Sequence, residues 1–225
     1  MTINQYAAGT PLALPRRLLT PVGAIGAGFS LSWIVGLAVP APDPALHATG
    51  GQIAAAITAH PASFTVQSVL VEGLATVGLI VAGIVLARAA RRHGATASGR
   101  VVLLASLVAA VSSFAQVGLG LVLVKTAAPG TAHALWGAIN RLDGIKLLAL
   151  GAFGLAAARG AGAALPRWLR SAGLALAVTI TISGVGFLLL NSKVALTAAA
   201  PALALLLVFV TGSCLALGAT RRAER

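Results

Sequence analysis

The chain of 225 residues is 58% hydrophobic and only 9% charged, and its mean hydropathy is +0.97. A soluble domain is about 45–50% apolar and about 25% charged, so this composition excludes a water-solvated globule and predicts that lipid surrounds most of the chain. The net charge of +12 would suggest nucleic acid in a soluble protein. Membrane topology explains it here, and no nucleic-acid binding is expected.

The N-terminal region carries Arg16 and Arg17, followed by an apolar run over 20–39. Two interpretations exist: a first transmembrane helix that is retained, or a secretory signal with a cleavage site near Val39. The retained helix is favoured, because the run is longer than a normal signal core and begins a series of similar segments.

Six apolar segments reach about 20 residues, the length that a helix needs to cross a bilayer. Helices satisfy every backbone group internally, whereas the alternation typical of barrel strands is absent. The sequence therefore predicts an all-α integral membrane protein with a six-helix transmembrane domain over 20–219. The predicted spans lie near 20–40, 63–87, 101–124, 136–158, 171–191 and 198–219, with cytoplasmic segments 1–19 and 220–225.

Basic residues predict the orientation of these spans. Twelve arginines lie before span 1, after span 6, or between spans 2 and 3 and spans 4 and 5, whereas only Lys125 and Lys193 fall in the opposite connections. The positive-inside rule then places the arginine side and both termini in the cytoplasm. We expect a multi-pass protein of the cell membrane (inner or plasma membrane).

The longest outer connection is 40–62. Ile53 and Ile57 are four apart within it and Pro61 stops any helix there. A short interfacial helix and an unstructured loop both stay open as predictions. His47 and His60 are thirteen apart with no acidic ligand nearby, so no metal site is predicted.

Motifs for cofactor chemistry are absent from the sequence. It has no phosphate-binding glycine loop, no dinucleotide fingerprint and no zinc-protease motif, and Cys214 is the single cysteine. No cofactor is expected. Aromatic residues make up only 4% of the chain, which argues against an aromatic-lined pocket for quaternary ammonium groups.

Polar residues repeat at helical spacing in spans 2 and 3, so each span is expected to present one polar or small-residue face to its neighbours. In span 2 the face is Thr65, Ser68, Glu72 and Thr76; in span 3 it is Ser106, Ala109, Ser113, Gln116 and Gly120. Packing explains the small members. Glu72 is different, because a carboxylate inside an apolar span is costly and marks a functional site by default.

A second set of charged residues lies in the first half of span 4. Asp143 and Lys146 are three apart, a spacing that permits an ion pair within one helix. Arg141 would then seek another anion, and the other membrane-embedded acid is Glu72. We therefore expect Arg141 or Lys146 to pair with Glu72.

Depth supports a common polar layer. Glu72 lies 16 residues before Arg88, and Asp143 lies 16 before Arg159. At 1.5 Å per residue, each acid is roughly 24 Å from its arginine anchor. The layer is predicted in the outer half of the bundle, and its candidate ligand- or ion-binding residues are Glu72, Gln116, Asn140, Arg141, Asp143 and Lys146.

The two acids also occupy one register of a gapless alignment, in which residues 72–88 match residues 143–159 at the acid, two glycines and the Ala-Arg end. This similarity suggests that spans 1–2 and spans 3–4 are repeats of one hairpin. Spans 5–6 lack the acid and would be a diverged copy or an addition.

Three functions remain open. The favoured one is a small-solute transporter, or a membrane-embedded ligand-binding subunit, that holds a small molecule or ion at the polar layer. The second is an intramembrane enzyme acting on a lipid or isoprenoid, with Glu72 or Asp143 as general acid. The third is a structural subunit whose ion pairs only hold the bundle together. The expected partners are the lipid bilayer and another copy of the chain or a separate membrane subunit.

Overall fold

The computed structural model describes residues 20–161 and 164–223, with side chains as far as residue 218. Over these residues the protein is helical and contains no strand. The helices are α1 (Pro21–Ala38), α2 (Gly50–Ala59), α3 (Pro61–Ser68), a π-helical segment (Val69–Leu74), α4 (Ala75–Arg92), α5 (Thr96–Leu123), α6 (Pro129–Gly160), α7 (Arg167–Leu188) and α8 (Ser192–Ala223). The predicted segment 1–19 lies outside the described residues.

Among the described residues, five stretches of helix are long and apolar enough to cross a membrane: Pro21–Ala38, Pro61–Arg92, Thr96–Leu123, Arg167–Leu188 and Ser192–Gly218. Their outer surfaces carry many large apolar side chains, such as Leu31 at 62% exposure and Val111 at 69%. Soluble monomers do not expose apolar surface on this scale, so these faces are suited to lipid. The all-α, multi-pass membrane class predicted from the sequence agrees with these helices.

The predicted fourth span behaves differently. It corresponds to α6, which has 32 residues but carries Arg141, Asp143 and Lys146 near its middle. These charges lower its hydropathy, and α6 is not among the five helices that meet both conditions of length and apolar composition. The count of six spans therefore stays a prediction. Since α6 packs against both α5 and α7, its charges have neighbouring helices to face.

The connection after α1 contains the helix that the sequence left undecided. Thr49 and Gln52 form a reciprocal capping box at the start of α2. Ile53 and Ile57 are fully buried, in a cluster with Phe64 and Trp136. Burial of the two isoleucines therefore holds α2 against α6.

The π-helical segment interrupts the helix that carries Glu72. The backbone N–H of Ala75 donates to the carbonyl of Leu70, five residues earlier. The same carbonyl accepts a 2.6 Å hydrogen bond from Ser32 Oγ of α1. Single π turns of this kind are rare and often occur at functional sites. Here the segment places Glu72 among α5 and α6.

Glycines set the close approach of α6 to α7. A Cβ on Gly144 would lie 2.9 Å from the carbonyl oxygen of Gly184, and a Cβ on Gly184 would lie 3.1 Å from that of Gly144. The two backbones are therefore in direct contact, one residue from Asp143. Such contact requires the small residues that are typical of helix interfaces in membranes.

The arginine-bearing helix ends lie together at one end of the bundle. Gly218 of α8 approaches Thr20 before α1, Gly160 of α6 approaches Ser98 of α5, and Gly99 approaches Arg91 of α4. At the opposite end Gly50 of α2 meets Pro129 at the start of α6. We call these the arginine end and the α2 end.

Candidate functional site

Three charged side chains meet where the π segment, α5 and α6 come together. Lys146 Nζ of α6 lies 2.7 Å from Oε1 and 2.8 Å from Oε2 of Glu72. It also lies 2.5 Å from Oδ1 of Asp143. The side chains of Lys146 and Glu72 are only 4% and 16% exposed. One ammonium group therefore binds two carboxylates inside the bundle, and we call these three residues the charged triad.

Hydroxyl groups complete the surroundings of Glu72. Ser113 Oγ of α5 donates a 2.7 Å hydrogen bond to Glu72 Oε2. Thr76, one turn after Glu72, donates its hydroxyl to the backbone carbonyl of Glu72. Both carboxylate oxygens of Glu72 therefore have partners. This satisfies the requirement that a buried carboxylate be paired and hydrogen-bonded.

Gln116 joins α5 to the acid of α6. Its amide Nε2 donates to the carbonyl of Ile139 at 3.1 Å and to Asp143 Oδ1 at 3.3 Å. Both partners are acceptors, so they fix which amide atom is the nitrogen. The remaining atom, Oε1, is buried and has no hydrogen-bond partner among the described residues. The site thus contains an unused acceptor beside Asp143.

Asn140 and Arg141 take no part in the triad. Asn140 donates its amide to the carbonyl of Trp136, one turn earlier in the same helix. Arg141 is exposed. Of the two cations considered for Glu72, Lys146 is the partner and Arg141 is not, so that alternative was wrong. The cause is helical geometry: Arg141 is two residues from Asp143, which turns it ~200° away around the helix.

Two members of the triad, Glu72 and Asp143, form part of the wall of a cavity at the α2 end of the bundle, which we call the outer cavity. Its volume is about 310 Å³. Three of the four acids of the chain line it, namely Asp43, Glu72 and Asp143. Gln116 and Asn140 line it as well. The wall of the outer cavity therefore carries three carboxyl groups, which accept hydrogen bonds and are negatively charged when ionised.

Asp43 lies in the connection between α1 and α2, outside the apolar helices. The residue is exposed as a whole. Partial burial of its carboxyl group nevertheless raises its pKa above the ordinary value, and the negative charge of Asp143 raises that pKa further. Asp43, Glu72 and Asp143 line the same cavity, so the loop acid lies close to the two acids of the triad.

Aromatic side chains gather around the same space. The chain has ten aromatic residues, and four of them line the outer cavity. They are Trp33, Phe64, Trp136 and Phe187. The low aromatic content predicts no aromatic-lined pocket, but four of the ten aromatic residues line this one cavity. Composition gives the number of aromatic rings and not their positions in the fold. Trp136 Nε1 is buried and has no acceptor among the described residues.

A second cavity, the apolar cavity, extends from the triad toward the middle of the bundle and measures about 250 Å³. Lys146, Asp143 and Ser113 contribute to its lining, while Leu79, Leu150, Ile180 and Leu206 are among its apolar walls. On the α8 side the lining includes Ala199, Ala200 and Ala202. Their small side chains leave the space open. Trp33, Val71, Asp143 and Phe187 line both cavities.

Sequence reasoning recovered part of this site. Glu72, Gln116, Asp143 and Lys146 lie together as expected, and all five residues of the predicted α5 face are buried. Asp43, Trp33, Trp136 and Phe187 were not singled out. The scarcity of acids in the chain could have drawn attention to Asp43. Phe187 lies in α7, whose position beside the layer depends on the packing order of helices.

Comparison with protein families, curated proteins and solved structures shows no significant match to this chain. Function therefore has to be argued from the site itself.

Proposed function

We propose that this protein is a small-solute transporter, or the ligand-binding subunit of one, whose binding site is the outer cavity. The charged triad carries the proposal: two carboxylates and one ammonium lie among apolar helices, at the boundary of a cavity. Charges inside a membrane are costly, and they commonly mark the path of a substrate or ion.

The triad also offers a means of coupling binding to a helix movement. Lys146 bridges acids on two different helices, so a solute that binds Glu72 or Asp143 competes directly with Lys146. Release of the ammonium group would remove a link between the π segment and α6. Because helix contacts in a packed bundle have discrete arrangements, such a change favours one arrangement over another.

The proposed setting is the cell membrane, with the arginine end in the cytoplasm and the α2 end outside, as the positive-inside rule requires. In that orientation the outer cavity faces the exterior. The lipid bilayer is the surrounding partner, and a second copy or another membrane subunit is the proposed protein partner.

The test is uptake into proteoliposomes. Vesicles containing the purified protein are incubated with a defined mixture of small cationic, neutral and anionic solutes, and their contents are measured by mass spectrometry. We expect protein-dependent uptake that Glu72→Gln reduces at least tenfold, whereas Arg141→Gln leaves it intact. Equal uptake by Glu72→Gln and the wild type would show that the triad takes no part in transport.

A second candidate function rests on the apolar cavity. Its apolar walls adjoin Lys146 and Asp143, an arrangement suited to an enzyme that acts on a lipid or isoprenoid chain. In that case Asp143 is the group that would exchange a proton with the substrate. Mass spectrometry of the purified protein would then find a bound acyl or polyprenyl chain, and Asp143→Asn would abolish turnover without loss of folding.

A further inference from the structure

The outer cavity has an excess of negative charge that the protein itself does not balance. With every group ionised, Asp43, Glu72 and Asp143 contribute three negative charges and Lys146 contributes one positive charge. Arg141 is exposed and forms no ion pair with these acids. Asp43 is exposed, but Glu72, Asp143 and Lys146 already leave one negative charge unbalanced among the helices. Burying unbalanced charge is unfavourable, so the cavity is suited to a positively charged occupant.

Two residues that line the outer cavity each carry a buried polar atom without a hydrogen-bond partner among the described residues. Gln116 is 6% exposed and its Oε1 lacks a donor; Trp136 is 7% exposed and its Nε1 lacks an acceptor. Neither atom has a partner in the described part of the chain, and both residues line the outer cavity. A buried polar atom without a partner costs free energy, which an occupant with a donor and an acceptor would remove.

The residues that line the outer cavity indicate whether its cation is a metal ion or an organic ammonium ion. No group of three or more His, Cys, Asp or Glu within the described ranges could hold a metal ion, so the acids do not converge as metal ligands do. Four aromatic rings line the cavity instead, and aromatic faces attract organic ammonium groups. A volume of about 310 Å³ is at the small end for ligand sites.

We propose that the outer cavity binds a small organic amine in its ammonium form, with a hydrogen-bond acceptor a few bonds from the nitrogen. The ammonium group donates to Asp43, Asp143 and Gln116 Oε1, and the acceptor on the ligand receives the Trp136 indole N–H. This inference deepens the proposed function and rests on it, because it assigns the substrate class of the same site.

The test is calorimetric titration of the full chain in detergent with four probes. Ethanolamine has the proposed ammonium and acceptor, ethylene glycol is its neutral counterpart of equal size, glycolate is an anion, and sodium ion is a bare cation. We expect ethanolamine to bind at least tenfold more tightly than the other three. Asp43→Asn should weaken ethanolamine binding about tenfold, the value of one hydrogen bond to a charged group, and Trp136→Phe should weaken it about fivefold, the value of one neutral hydrogen bond.

Ser106→Ala is the matched control, since Ser106 is buried on α5 but lines neither cavity. Gln116→Met tests the unpartnered acceptor, and Asp43→Asn in the loop keeps the test valid if Gln116→Met fails to fold. Binding of glycol or glycolate that depends on Asp43 overturns the amine assignment and leaves a solute site in place. Asp43-dependent sodium binding overturns it in favour of an inorganic cation. A folded wild type that binds none of the probes at about 10 mM overturns the amine assignment, whereas protein-dependent uptake in the proteoliposome test decides the transport function separately.

Discussion

Lys146 Nζ and the Glu72 carboxylate are joined by two hydrogen bonds of 2.7 and 2.8 Å, although the residues are 74 positions apart. The contact connects α6 to the π segment inside an apolar bundle. A lysine that is 3% exposed overall has no access to bulk water, so its charge depends on the two acids. Removing Lys146 leaves both acids without their cation.

Replacing Lys146 should therefore destabilise the protein strongly. Lys146→Met leaves two partly buried carboxylates without their cation, and breaking a buried ion pair in this way costs about 3–5 kcal/mol. Arg141→Gln, a change to the exposed cation of the same helix, should have little effect. Thermal unfolding in detergent measures both variants.

The double variant Lys146→Met, Glu72→Gln should cost less than the sum of the single variants, because it removes a negative charge together with the positive one. Equal losses in Lys146→Met and Arg141→Gln would contradict the pairing. A double variant that transports solute like the wild type would show that the triad only holds the bundle together.

The layer itself was predictable from the sequence, and its internal pairing was not. Helix rise is fixed, so counting 16 residues back from Arg88 and Arg159 places Glu72 and Asp143 at one level. Lys146 contacts both acids, in agreement with that count. Pairing depends on rotation about the helix axis, and the π segment alters that rotation next to Glu72. No local pattern in the sequence predicts the π-helical segment.

Other parts of the site are non-local. Asp43 lies in a connection without helical periodicity, and its approach to Asp143 depends on how α2 packs on α6. The hairpin repeat stays a prediction, and the two aligned glycines have different surroundings. A Cβ on Gly73 would have one neighbour, at 3.9 Å, whereas a Cβ on Gly144 would lie 2.7 Å from Leu188 Cγ.

Gly144 should not tolerate a methyl group. Gly144→Ala places a Cβ against Leu188 and the Gly184 carbonyl, and overpacking of this kind costs about 1–3 kcal/mol. Gly137, on the same helix, has no neighbour within 4 Å of an added Cβ. Gly137→Ala should stabilise α6 by about 0.5–1 kcal/mol through helix propensity. Unfolding temperatures that rise for both variants would show that α6 and α7 are not in close backbone contact.

The orientation in the membrane can be tested with single cysteines. In a Cys214→Ala background, His47→Cys places a thiol at the α2 end and His93→Cys places one at the arginine end, both at exposed positions. A membrane-impermeant thiol reagent should label position 47 in intact cells and position 93 only after permeabilisation. The reverse labelling pattern would place the outer cavity on the cytoplasmic side.

Binding of a cation should weaken as the pH falls. The raised pKa of Asp43 means that its carboxyl group takes up a proton at a higher pH than an ordinary aspartate does. Protonation removes one of the charges that attract an ammonium ligand, while ethanolamine stays charged. Glu72 and Asp143 share the outer cavity with Asp43, and Lys146 pairs with Glu72 and Asp143. The comparison with Asp43→Asn therefore isolates the loop carboxylate.

We expect ethanolamine affinity in the wild type to fall between pH 7 and pH 4, with a smaller fall in Asp43→Asn. Stability should run in the opposite sense. Since the folded protein holds this proton more tightly than the unfolded chain, the contribution of Asp43 to stability is fully present below the unfolded pKa and is lost as the pH rises through the folded pKa. Asp43→Asn should therefore unfold at a higher temperature than the wild type at pH 7. Affinity profiles that coincide for the two proteins would mean that Asp43 does not contact the ligand.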